Sequence, residues 1–414
     1  MRCEILNIGE ELLNGTSVNT NATWLCGRFA HLGARIVAVT MVGDGLNDIL
    51  AAFHAAAQRA DFVVVTGGLG PTSDDRTKEA TLRYFGGSLV PVESEIERIR
   101  RLFADRGLPL TERNIEQGYV PDTCTPITNP VGTAPGMEFK SEGRIWLFLP
   151  GVPAEMKALV DQNIHRWFTD AESGKTFVAD EIMVIGVGES FVADRIAPWQ
   201  AQLPAHLALA YLPSAGLVRI RLSCFSEDAG HDRLLIRSEL QKVLAIFPGE
   251  AFYTAMEEWN HHFYRVLHQQ NISLSVAESC TGGYLAHRIT SVPGSSSIFR
   301  GGVVAYHNDI KTELLGVPAT TLERHGAVSR ETVEQMAFAV RSRFRTHMGV
   351  AISGVAGPDG GTPEKPVGTV WIAVADNLGV EKAMFLMGTD RIRNIEKSAV
   401  MAMKMVLNRL ATAR

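Results

Sequence analysis

A hydroxyl, a phenol and an amine stand near one another in the chain, at Ser279, Tyr306 and Lys311. Ser279 opens the run Ser279-Cys280-Thr281-Gly282-Gly283, between a predicted strand and a predicted helix. A hydroxyl at such a turn is expected to be exposed, and free N–H groups of the helix can stabilise an oxyanion. A lysine desolvated beside a hydroxyl has a lowered pKa and can act as its base. The spacing therefore favours a Ser–Lys amidase, with Tyr306 orienting or relaying a proton.

Each of these residues also has an ordinary structural explanation. Ser279 and Thr281 are good helix N-caps, Lys311 could be a solvated surface residue, and Tyr306 could be a core aromatic. Two neighbouring side chains are rivals for the roles of nucleophile and base, namely Cys280 and His307. A free cysteine is commonly buried, and the residue beside a nucleophile on a tight turn usually points elsewhere, which favours Ser279.

A second group of candidate residues follows a β-branched predicted strand at 61–66. It reads Gly67-Gly68-Leu69-Gly70-Pro71-Thr72, then Asp74-Asp75 and Lys78 at a helix start. Glycines at the carboxyl end of a parallel strand let backbone N–H groups approach a phosphate. The two aspartates could hold a divalent cation, and Lys78 could offset phosphate charge. The alternative is a glycine-rich turn whose aspartates cap a helix; the run matches neither a P-loop nor a dinucleotide fingerprint.

The elements that must position these residues alternate as in an α/β protein. In the first part of the chain, the predicted strands are 3–8, 35–42, 61–66 and 144–149, and the predicted helices are 21–32, 48–59, 93–105 and 154–168. Strands that alternate with helices imply a parallel sheet. The polar, apolar-poor segment 170–175 suggests a domain boundary.

A smaller α+β pattern comes next, and α/β alternation then resumes. The middle part has predicted strands at 181–186, 207–212 and 216–224, and helices at 189–199 and 232–246. The last part has predicted strands at 272–277, 303–306, 350–353 and 368–375, and helices at 260–270, 284–290, 331–345 and 391–410. We therefore predict three domains, at 1–175, 176–250 and 251–414, the middle one a spacer or dimerisation module.

Composition narrows the function classes. The 414 residues carry 45 acidic and 40 basic side chains, a formal net charge of −5, so the chain lacks the clustered positive charge of a nucleic-acid binder. Five widely spaced cysteines without a C-x-x-C pair suggest neither a disulfide framework nor a zinc site. We expect a cytoplasmic protein without a membrane segment, because no apolar run approaches membrane-spanning length and the N-terminus lacks a signal-peptide core.

The first part of the chain resembles the molybdopterin-binding fold of MogA and MoeA proteins, and more closely the N-terminal domain of the CinA (competence/damage-inducible) family. The matching motifs occur in the family's order: Gly9-Glu10-Glu11-Leu12-Leu13-Asn14-Gly15 with Asn19-Thr20-Asn21, Thr66-Gly67-Gly68-Leu69-Gly70-Pro71-Thr72 with Asp74-Asp75, Glu112-Arg113-Asn114, Asn129-Pro130-Val131-Gly132-Thr133-Ala134-Pro135-Gly136, and Leu149-Pro150-Gly151-Val152-Pro153 with Glu155-Met156. The resemblance implies metal-dependent hydrolysis of ADP-ribose to AMP and ribose 5-phosphate, with Mg²⁺, Mn²⁺ or Co²⁺. For that reaction we expect substrate binding by Gly67, Gly68, Gly70, Thr72 and Lys78, and the metal at Asp74 and Asp75.

The last part resembles the C-terminal domain of the CinA family, the nicotinamide-nucleotide amidohydrolase module. The motifs include Ala277-Glu278-Ser279-Cys280-Thr281-Gly282-Gly283, Gly301-Gly302-Val303-Val304-Ala305-Tyr306 with Asn308 and Lys311, and Ser353-Gly354-Val355-Ala356-Gly357-Pro358. The resemblance implies deamidation of nicotinamide mononucleotide by Ser279, Tyr306 and Lys311 without a metal. The substrate would contact Thr281, Gly282, Gly283, Ser353, Gly354 and Gly357, with its phosphate at 353–357 or near Ser295-Ser296.

The resemblance also implies a homodimer and, more weakly, a KH-like middle domain, although no G-x-x-G clamp with basic flanks supports RNA binding there. The leading hypothesis is a two-headed hydrolase of pyridine-nucleotide salvage. One alternative is a catalytically idle nucleotide- or cofactor-binding scaffold linked to competence or the DNA damage response. Another is molybdopterin handling at residues 67–72, because fold alone does not determine the reaction.

Overall fold

The computed structural model describes residues 1–30, 32–72, 74–168 and 176–412. The chain forms two compact units, one of residues 1–178 with 225–232 and one of residues 179–224 with 233–414. Both contain sheets and helices, so the predicted α/β class is confirmed. The predicted boundary segment 170–175 lies outside the described residues. Within the described residues, no helix is both long and apolar enough to cross a bilayer.

The first unit is built on strands that alternate with helices. Its elements are β1 (Arg2–Ile8), α1 (Glu10–Leu13), α2 (Thr20–Ala30), β2 (Arg35–Val42), α3 (Leu46–Arg59), β3 (Phe62–Thr66), α4 (Thr77–Phe85), β4 (Leu89–Pro91), α5 (Glu93–Asp105), α6 (Glu112–Glu116), β5 (Tyr119–Pro121), β6 (Thr125–Ile127), β7 (Gly136–Ser141), β8 (Arg144–Leu149), α7 (Pro153–Asn163) and α8 (His165–Phe168).

The main sheet of this unit has the order β2-β1-β3-β8-β7-β6. β1 pairs in parallel with β2 on one side and β3 on the other, and β8 continues the parallel part beyond β3. β3 is buried throughout, as its run of β-branched residues leads one to expect for a strand covered on both faces. The connection after β1 leads to β2 on one side, and the next connection leads to β3 on the other side of β1. A crevice is expected at the carboxyl ends of the strands where the connections diverge in this way.

The second unit contains two sheets. Its elements are β9 (Thr176–Ile185), α9 (Glu189–Gln200), β10 (Ala208–Ser214), β11 (Leu217–Ser226), α10 (Ala229–Ile246), β12 (Ala251–Tyr253), α11 (Trp259–Gln269), β13 (Leu274–Glu278), α12 (Tyr284–Thr290), a 3₁₀ turn (Ser295–Ser297), β14 (Phe299–Val304), α13 (Asn308–Glu313), α14 (Ala319–His325), α15 (Arg330–Phe344), β15 (Met348–Gly354), β16 (Thr369–Ala375), β17 (Val380–Leu386) and α16 (Arg391–Thr412). β9 and α10 begin, and β11 ends, in residues assigned to the first unit.

The larger sheet has the order β14-β13-β15-β16-β17. β13 lies parallel to both of its neighbours, whereas β16 and β17 are antiparallel. The chain again moves from a central strand to one side, β14, and later to the other, β15. The carboxyl end of β13 is therefore a second point where a crevice is expected.

The smaller sheet, β10-β11-β9-β12, shares a hydrophobic core with the larger one. Met183, Ile185 and Leu217 belong to the same buried cluster as residues of β13, β15 and α16. Lys404 of α16 also donates a hydrogen bond to the carbonyl oxygen of Ile185, at 2.9 Å. The middle segment thus packs as part of the second unit. The division into three domains stays a prediction, and so does the KH-like character of the middle one.

Candidate active sites

Ser279 lies immediately after β13, at the crevice between β14 and β15. Its amide donates to the carbonyl oxygen of Ile352 on β15, at 2.9 Å, so the first residue of the turn is still tied to the sheet. The side chain is buried, with 8% of its surface exposed. The expectation of an exposed hydroxyl is therefore wrong, because the segments after β14 and β15 also line the cavity into which Ser279 faces.

Lys311 is the nearest cation to that hydroxyl in the part of the chain that the structure describes. It lies on α13 with only 1% of its surface exposed, which excludes a solvated surface residue. Its Nζ lies 3.1 Å from Ser279 Oγ and 2.6 Å from the carbonyl oxygen of Ala305. Burial lowers its pKa below the ordinary value of 10.5, because the charged form loses solvation. The predicted nucleophile and base are thus brought together.

Tyr306 is neither a core aromatic nor a hydrogen-bond partner of the predicted nucleophile. It lies beyond the end of β14, and 59% of its surface is exposed, so it is not a core aromatic. Its hydroxyl accepts a hydrogen bond from Arg391 Nη2 at 2.8 Å, whereas its carbonyl oxygen lies 3.4 Å from Lys311 Nζ. The phenol therefore faces the substrate side of the cavity, and the structure gives it no hydrogen bond to Ser279 or Lys311 among the described residues. The predicted proton relay through this hydroxyl is not formed.

The rival residues are poorly suited to catalysis. Cys280 is 7% exposed, and burial raises the pKa of its thiol to about 12, which keeps it protonated. The ring of His307 is exposed and its Nδ1 accepts from the amide of Asp309 at 3.4 Å, as the N-cap of α13. The geometry therefore favours Ser279 and Lys311 over both.

The last residue of β13 carries a buried carboxylate that the sequence did not single out. Glu278, 1% exposed, accepts hydrogen bonds from the amides of Leu285 and Ala286 at 3.0 and 2.8 Å. These donors at the start of α12 are consequently engaged. The amide of Gly282 is also engaged, with the carbonyl oxygen of Ser279 at 3.0 Å.

Fewer N–H groups at the start of α12 are therefore available to an oxyanion than the sequence suggested. Among the described residues, the amides of Thr281 and Gly283, and that of Cys280, have no hydrogen-bond acceptor. Thr281 also has a buried hydroxyl oxygen without a partner, so this side of the turn is polar and unsatisfied. Cys280 lines the cavity around Ser279, whereas the predicted substrate-binding residues Thr281, Gly282 and Gly283 are not among its described lining residues.

The cavity around Ser279 has a volume of about 300 Å³. Its lining includes the predicted substrate-binding residues Ser353, Gly354 and Gly357. It also includes Arg391, which the sequence did not single out, and whose Nη1 donates to the carbonyl oxygen of Gly357 at 2.6 Å. Arg391 lies in the first turn of a helix, where a positive charge is unfavourable because of the helix dipole. This unusual position is the feature of the sequence that could have identified it.

The alternative phosphate site at Ser295-Ser296 lies elsewhere. These residues belong to the 3₁₀ turn that precedes β14, whereas Ser279 follows β13. Because β13 and β14 are parallel, the turn lies at the opposite edge of the sheet. The structure therefore leaves 353–357 as the predicted phosphate segment that faces Ser279.

A second cleft, of about 350 Å³, lies at the carboxyl ends of β1, β3 and β8. Gly67 and Gly68, which have positive φ, and Gly70 line it with Asp74 and Asp75. A Cβ on Gly67 would overlap the carbonyl oxygen of Ile8, so a residue with a side chain cannot replace it without moving β1.

Two residues that were predicted to bind metal or substrate in this cleft, Asp75 and Lys78, form hydrogen bonds within the protein. The carboxylate of Asp75 accepts from the amide of Thr72 at 2.9 Å and from its hydroxyl, which closes the loop. Lys78 donates to the carbonyl oxygens of Gln117 and Tyr119 at 3.0 and 2.7 Å, and burial lowers its pKa to about 8. Neither Thr72 nor Lys78 is among the described residues that line the cleft.

Three further carboxylates line the cleft, on Glu11, Asp44 and Glu155. Glu11 and Glu155 lie within motifs that carry the resemblance, which was the signal that could have identified them. Burial raises the pKa of Asp44, and the nearby carboxylates of Glu11 and Asp74 add to the effect. Negative charge thus accumulates on one side of the glycine loop.

The chemistry of this donor set suits a hard divalent cation held by one or two carboxylates and substrate phosphates. Within the described residues, neither Asp74 nor Asp75 joins two other acidic, His or Cys side chains in a cluster whose ligand atoms lie within 4.8 Å. The residues therefore fit a cation that the phosphates help to hold, rather than an all-protein cage.

Known protein families match both parts of the chain. A family model described as a probable molybdopterin binding domain matches residues 4–168, and the CinA C-terminal domain model matches 256–410. CinA-like proteins of Cytophaga hutchinsonii and Akkermansia muciniphila are each 40% identical to the chain. The matches cover 98% and 94% of this chain and 97% and 93% of those relatives.

A solved structure of the protein CinA from Thermoplasma acidophilum is 36% identical over 40% of this chain and 96% of its own, with a TM-score of 0.37. The full-length matches confirm the family that the motifs suggested, including its molybdopterin-binding N-terminal domain. The chain belongs to the CinA family.

Proposed function

We propose that the second unit hydrolyses the carboxamide of nicotinamide mononucleotide, giving nicotinate mononucleotide and ammonia. The observation that carries the proposal is the buried contact of 3.1 Å between Lys311 Nζ and Ser279 Oγ. A lysine whose pKa is lowered by burial supplies a neutral amine more readily than a solvated one. That amine can accept the hydroxyl proton, which makes the serine a nucleophile.

In the first half-reaction, Lys311 accepts the proton of Ser279 as Oγ bonds to the carboxamide carbon. The developing oxyanion receives a hydrogen bond from the free amide of Cys280, which lines the cavity. The Lys311 ammonium then returns the proton to the leaving nitrogen, the C–N bond breaks, and ammonia departs from an acyl-enzyme. In the second half-reaction, a water gives one proton to Lys311 as its oxygen bonds to the acyl carbon. The bond between that carbon and Ser279 Oγ then breaks, the Lys311 ammonium returns the proton to Oγ, and the product leaves as a carboxylate whose proton passes to solvent.

Arg391 would hold the phosphate of the nucleotide. Its guanidinium already binds the carbonyl of Gly357 and the hydroxyl of Tyr306, which fixes the direction of the fork. Its remaining N–H groups have no acceptor among the described residues, so they can bind a phosphate at segment 353–357 in a bidentate manner. The phosphate thereby orients the pyridine ring so that its carboxamide reaches Ser279.

The test is ammonia release from nicotinamide mononucleotide by the wild type and by Ser279→Ala. We expect release by the wild type and a loss of about a thousandfold or more in the variant. Ser296→Ala, at an exposed serine of the same unit, is the matched control and should keep wild-type activity. Activity that survives Ser279→Ala would overturn the role of this residue, and an inactive wild type would overturn the proposal.

We also propose that the first unit hydrolyses ADP-ribose to AMP and ribose 5-phosphate with a divalent cation. The supporting observation is the cleft that combines the glycine loop at 67–70 with the carboxylates of Asp74 and Asp75. A bound cation would polarise a phosphoryl oxygen and lower the pKa of a water. The chain's own part is to hold the diphosphate at the loop amides and to orient the carboxylates on its outer side.

The matching assay follows AMP formation from ADP-ribose with Mg²⁺, Mn²⁺ or Co²⁺, and with EDTA as the control. Cation-dependent AMP is the expected result. If the wild type turns over neither nucleotide, the idle nucleotide-binding scaffold becomes the better description. If the cleft binds a phosphorylated pterin and not ADP-ribose, the molybdopterin alternative replaces the pyrophosphatase.

A further inference from the structure

The cleft of the first unit has a side cavity of about 160 Å³. The cleft and the side cavity share four lining residues, Ile8, Glu11, Gly67 and Gly151. At the waist between them the backbones of Gly67 and Gly151 lie close together, because a Cβ on Gly151 would lie only 3.4 Å from Gly67 Cα. The two cavities therefore adjoin beside the glycine loop.

The side cavity is lined mainly by polar groups, and Glu11 is the one charged residue among its described lining residues. Three asparagines take part. Two of them are linked to each other and to the sheet: Asn19 Nδ2 donates to Asn7 Oδ1 at 3.0 Å, and Asn7 Nδ2 donates to Thr66 Oγ1 at 2.6 Å. Ser17 adds a hydroxyl, and no Lys or Arg is among the described lining residues. This chemistry suits the hydroxyl groups of a sugar and not a phosphate.

The third asparagine, Asn21 on α2, carries an acceptor without a partner. Its Nδ2 donates to the carbonyl oxygen of Gly151 at 2.7 Å, which fixes the side chain against the waist. Its Oδ1 is buried and has no hydrogen-bond partner among the described residues, and the whole residue is 9% exposed. An unsatisfied buried acceptor is costly, and at a binding site a donor on the ligand can satisfy it.

We propose that the side cavity is the subsite for the terminal sugar of a nucleoside diphosphate sugar, and that Asn21 accepts a hydrogen bond from one of its hydroxyls. The proposal rests on the pyrophosphatase function proposed above for the same cleft. The diphosphate lies at the waist, beside the amides of Gly68, Leu69 and Gly70, which have no acceptor among the described residues. The amide of Gly67 donates to the carbonyl oxygen of Leu149 at 3.1 Å and is not available. The nucleoside, which is the larger half of ADP-ribose, occupies the larger cavity, and the ribose occupies the smaller one.

The test compares the two products as probes, because each carries one phosphate and one half of the substrate. Binding of ribose 5-phosphate and of AMP is measured calorimetrically, with Mg²⁺, for the wild type and for Asn21→Ala. We expect about tenfold weaker binding of ribose 5-phosphate and a change below about twofold for AMP, as one lost hydrogen bond predicts. Asn163→Ala is the matched control, because Asn163 also donates to one backbone carbonyl in this unit, at 2.9 Å.

A second variant keeps the proposal testable if the loss of the Asn21 contact to Gly151 disturbs the loop. Ser17 is exposed at the side cavity, so Ser17→Phe should narrow the cavity without removing a packed side chain. This variant should weaken the binding of ribose 5-phosphate and leave the binding of AMP unchanged. The proposal would be overturned if both variants weakened the binding of both probes equally, if they weakened only AMP binding, or if they changed neither. It would also be overturned if the wild type bound neither probe.

The outcomes also separate this proposal from the function on which it rests. A wild type that hydrolyses ADP-ribose, with variants that bind ribose 5-phosphate normally, would remove the subsite and keep the pyrophosphatase. Selective loss of ribose 5-phosphate in a protein that does not hydrolyse ADP-ribose would keep the subsite and remove the proposed reaction.

Discussion

The two clefts of the molecule occupy the same topological position in two different sheets. The first lies where the chain passes from β1 to β2 on one side and later to β3 on the other. The second lies where β13 is flanked by β14 and β15 in the same manner. Both are crevices outside the carboxyl ends of parallel strands, which is where open α/β sheets bind ligands.

The side chains that fill these positions differ in charge and burial. The first cleft presents several carboxylates, including Asp44 and Asp74, and Lys78, which was predicted to bind phosphate there, donates to backbone carbonyls. The second presents a buried amine on Lys311, a serine and the guanidinium of Arg391. The comparison shows that the fold determines where a ligand binds, whereas the reaction depends on which charged groups are buried there.

The largest effect is expected from Lys311→Met, which keeps the volume but removes the amine. Deamidation should fall by about a thousandfold, because general-base catalysis is lost and Ser279 keeps its proton. In the wild type, the rate should rise with pH until Lys311 is neutral, and this limb should lie below pH 10.5 because burial lowers its pKa. The measurement is a pH–rate profile of ammonia release.

The control for this variant is Lys365→Met, at a lysine of the same unit that donates to the carbonyl of His325. It should deamidate as the wild type does. Hydrolysis of ADP-ribose should be unaffected in both variants. A Lys311→Met protein that keeps its deamidase activity would show that another group takes the proton, and the contrast between the clefts would no longer rest on this amine.

A smaller effect is expected in the first cleft from Asp74→Asn. Removing one negative charge weakens the hold on a divalent cation, so ADP-ribose hydrolysis should fall by about a hundredfold and part of it should return at higher Mg²⁺. The readout is the rate of AMP formation over a range of Mg²⁺ concentrations. Asp105→Asn, at the end of α5, is a control for loss of a negative charge.

Unchanged Mg²⁺ dependence in Asp74→Asn would contradict the cation-binding role of this carboxylate. Deamidation should not respond to Mg²⁺ or to EDTA in any of these proteins, because its proposed steps use only Ser279, Lys311 and backbone amides. The response to EDTA alone thus distinguishes the two clefts.

Glu278→Gln should have an intermediate effect on the second cleft. The carboxylate accepts from two amides of α12, and a carboxamide would turn an N–H group towards one of them. The turn that carries Ser279 should loosen, so kcat for deamidation should fall by about tenfold while KM changes by less than about threefold.

The kinetics are measured at a temperature well below the unfolding transition, with Glu257→Gln as the control, because Glu257 pairs with Arg265 away from the cavity. If KM rises while kcat is kept, Glu278 affects substrate binding and does not position the nucleophile.

The sequence was sufficient to predict the elements whose pattern is local. Strand 144–149 and helix 284–290 were predicted with the bounds that the structure has, because apolar periodicity and turn residues mark both ends. The edge strand β17 was missed. It presents Met384 and Leu386 to the surface, so its residues do not follow the pattern of a half-buried strand.

The candidate site was predictable only where its residues lie near one another in the chain or in one motif. Ser279 and Lys311 were identified from neighbouring motifs, and the structure brings them together. The direction of the Tyr306 phenol depends on Arg391, which is 85 positions away. The amine of Lys78 likewise depends on carbonyls about 40 positions away, and a helix-start pattern does not indicate towards which neighbour a long side chain turns.

The smallest effect on catalysis is expected from Lys78→Met, and it tests how far the first cleft depends on negative charge. ADP-ribose hydrolysis should stay within about threefold of the wild type, because the ammonium binds the carbonyl oxygens of Gln117 and Tyr119 instead of the substrate.

The same lysine should make the stability of the first unit depend on pH. The folded protein loses the Lys78 proton near pH 8, whereas an unfolded chain keeps it to about 10.5. Between these values the unfolded state binds more protons, so the free energy of unfolding should gain up to about 1.4 kcal/mol per pH unit from this residue. Urea unfolding of wild type and variant at pH 7, 8, 9 and 10 measures the difference, which should grow with pH and vanish if Lys78 is solvated. The opposite result would be a large loss of hydrolysis with the same pH dependence of unfolding free energy in wild type and variant. That result would mean that Lys78 binds the substrate, and the first cleft would then resemble the second in using a basic side chain.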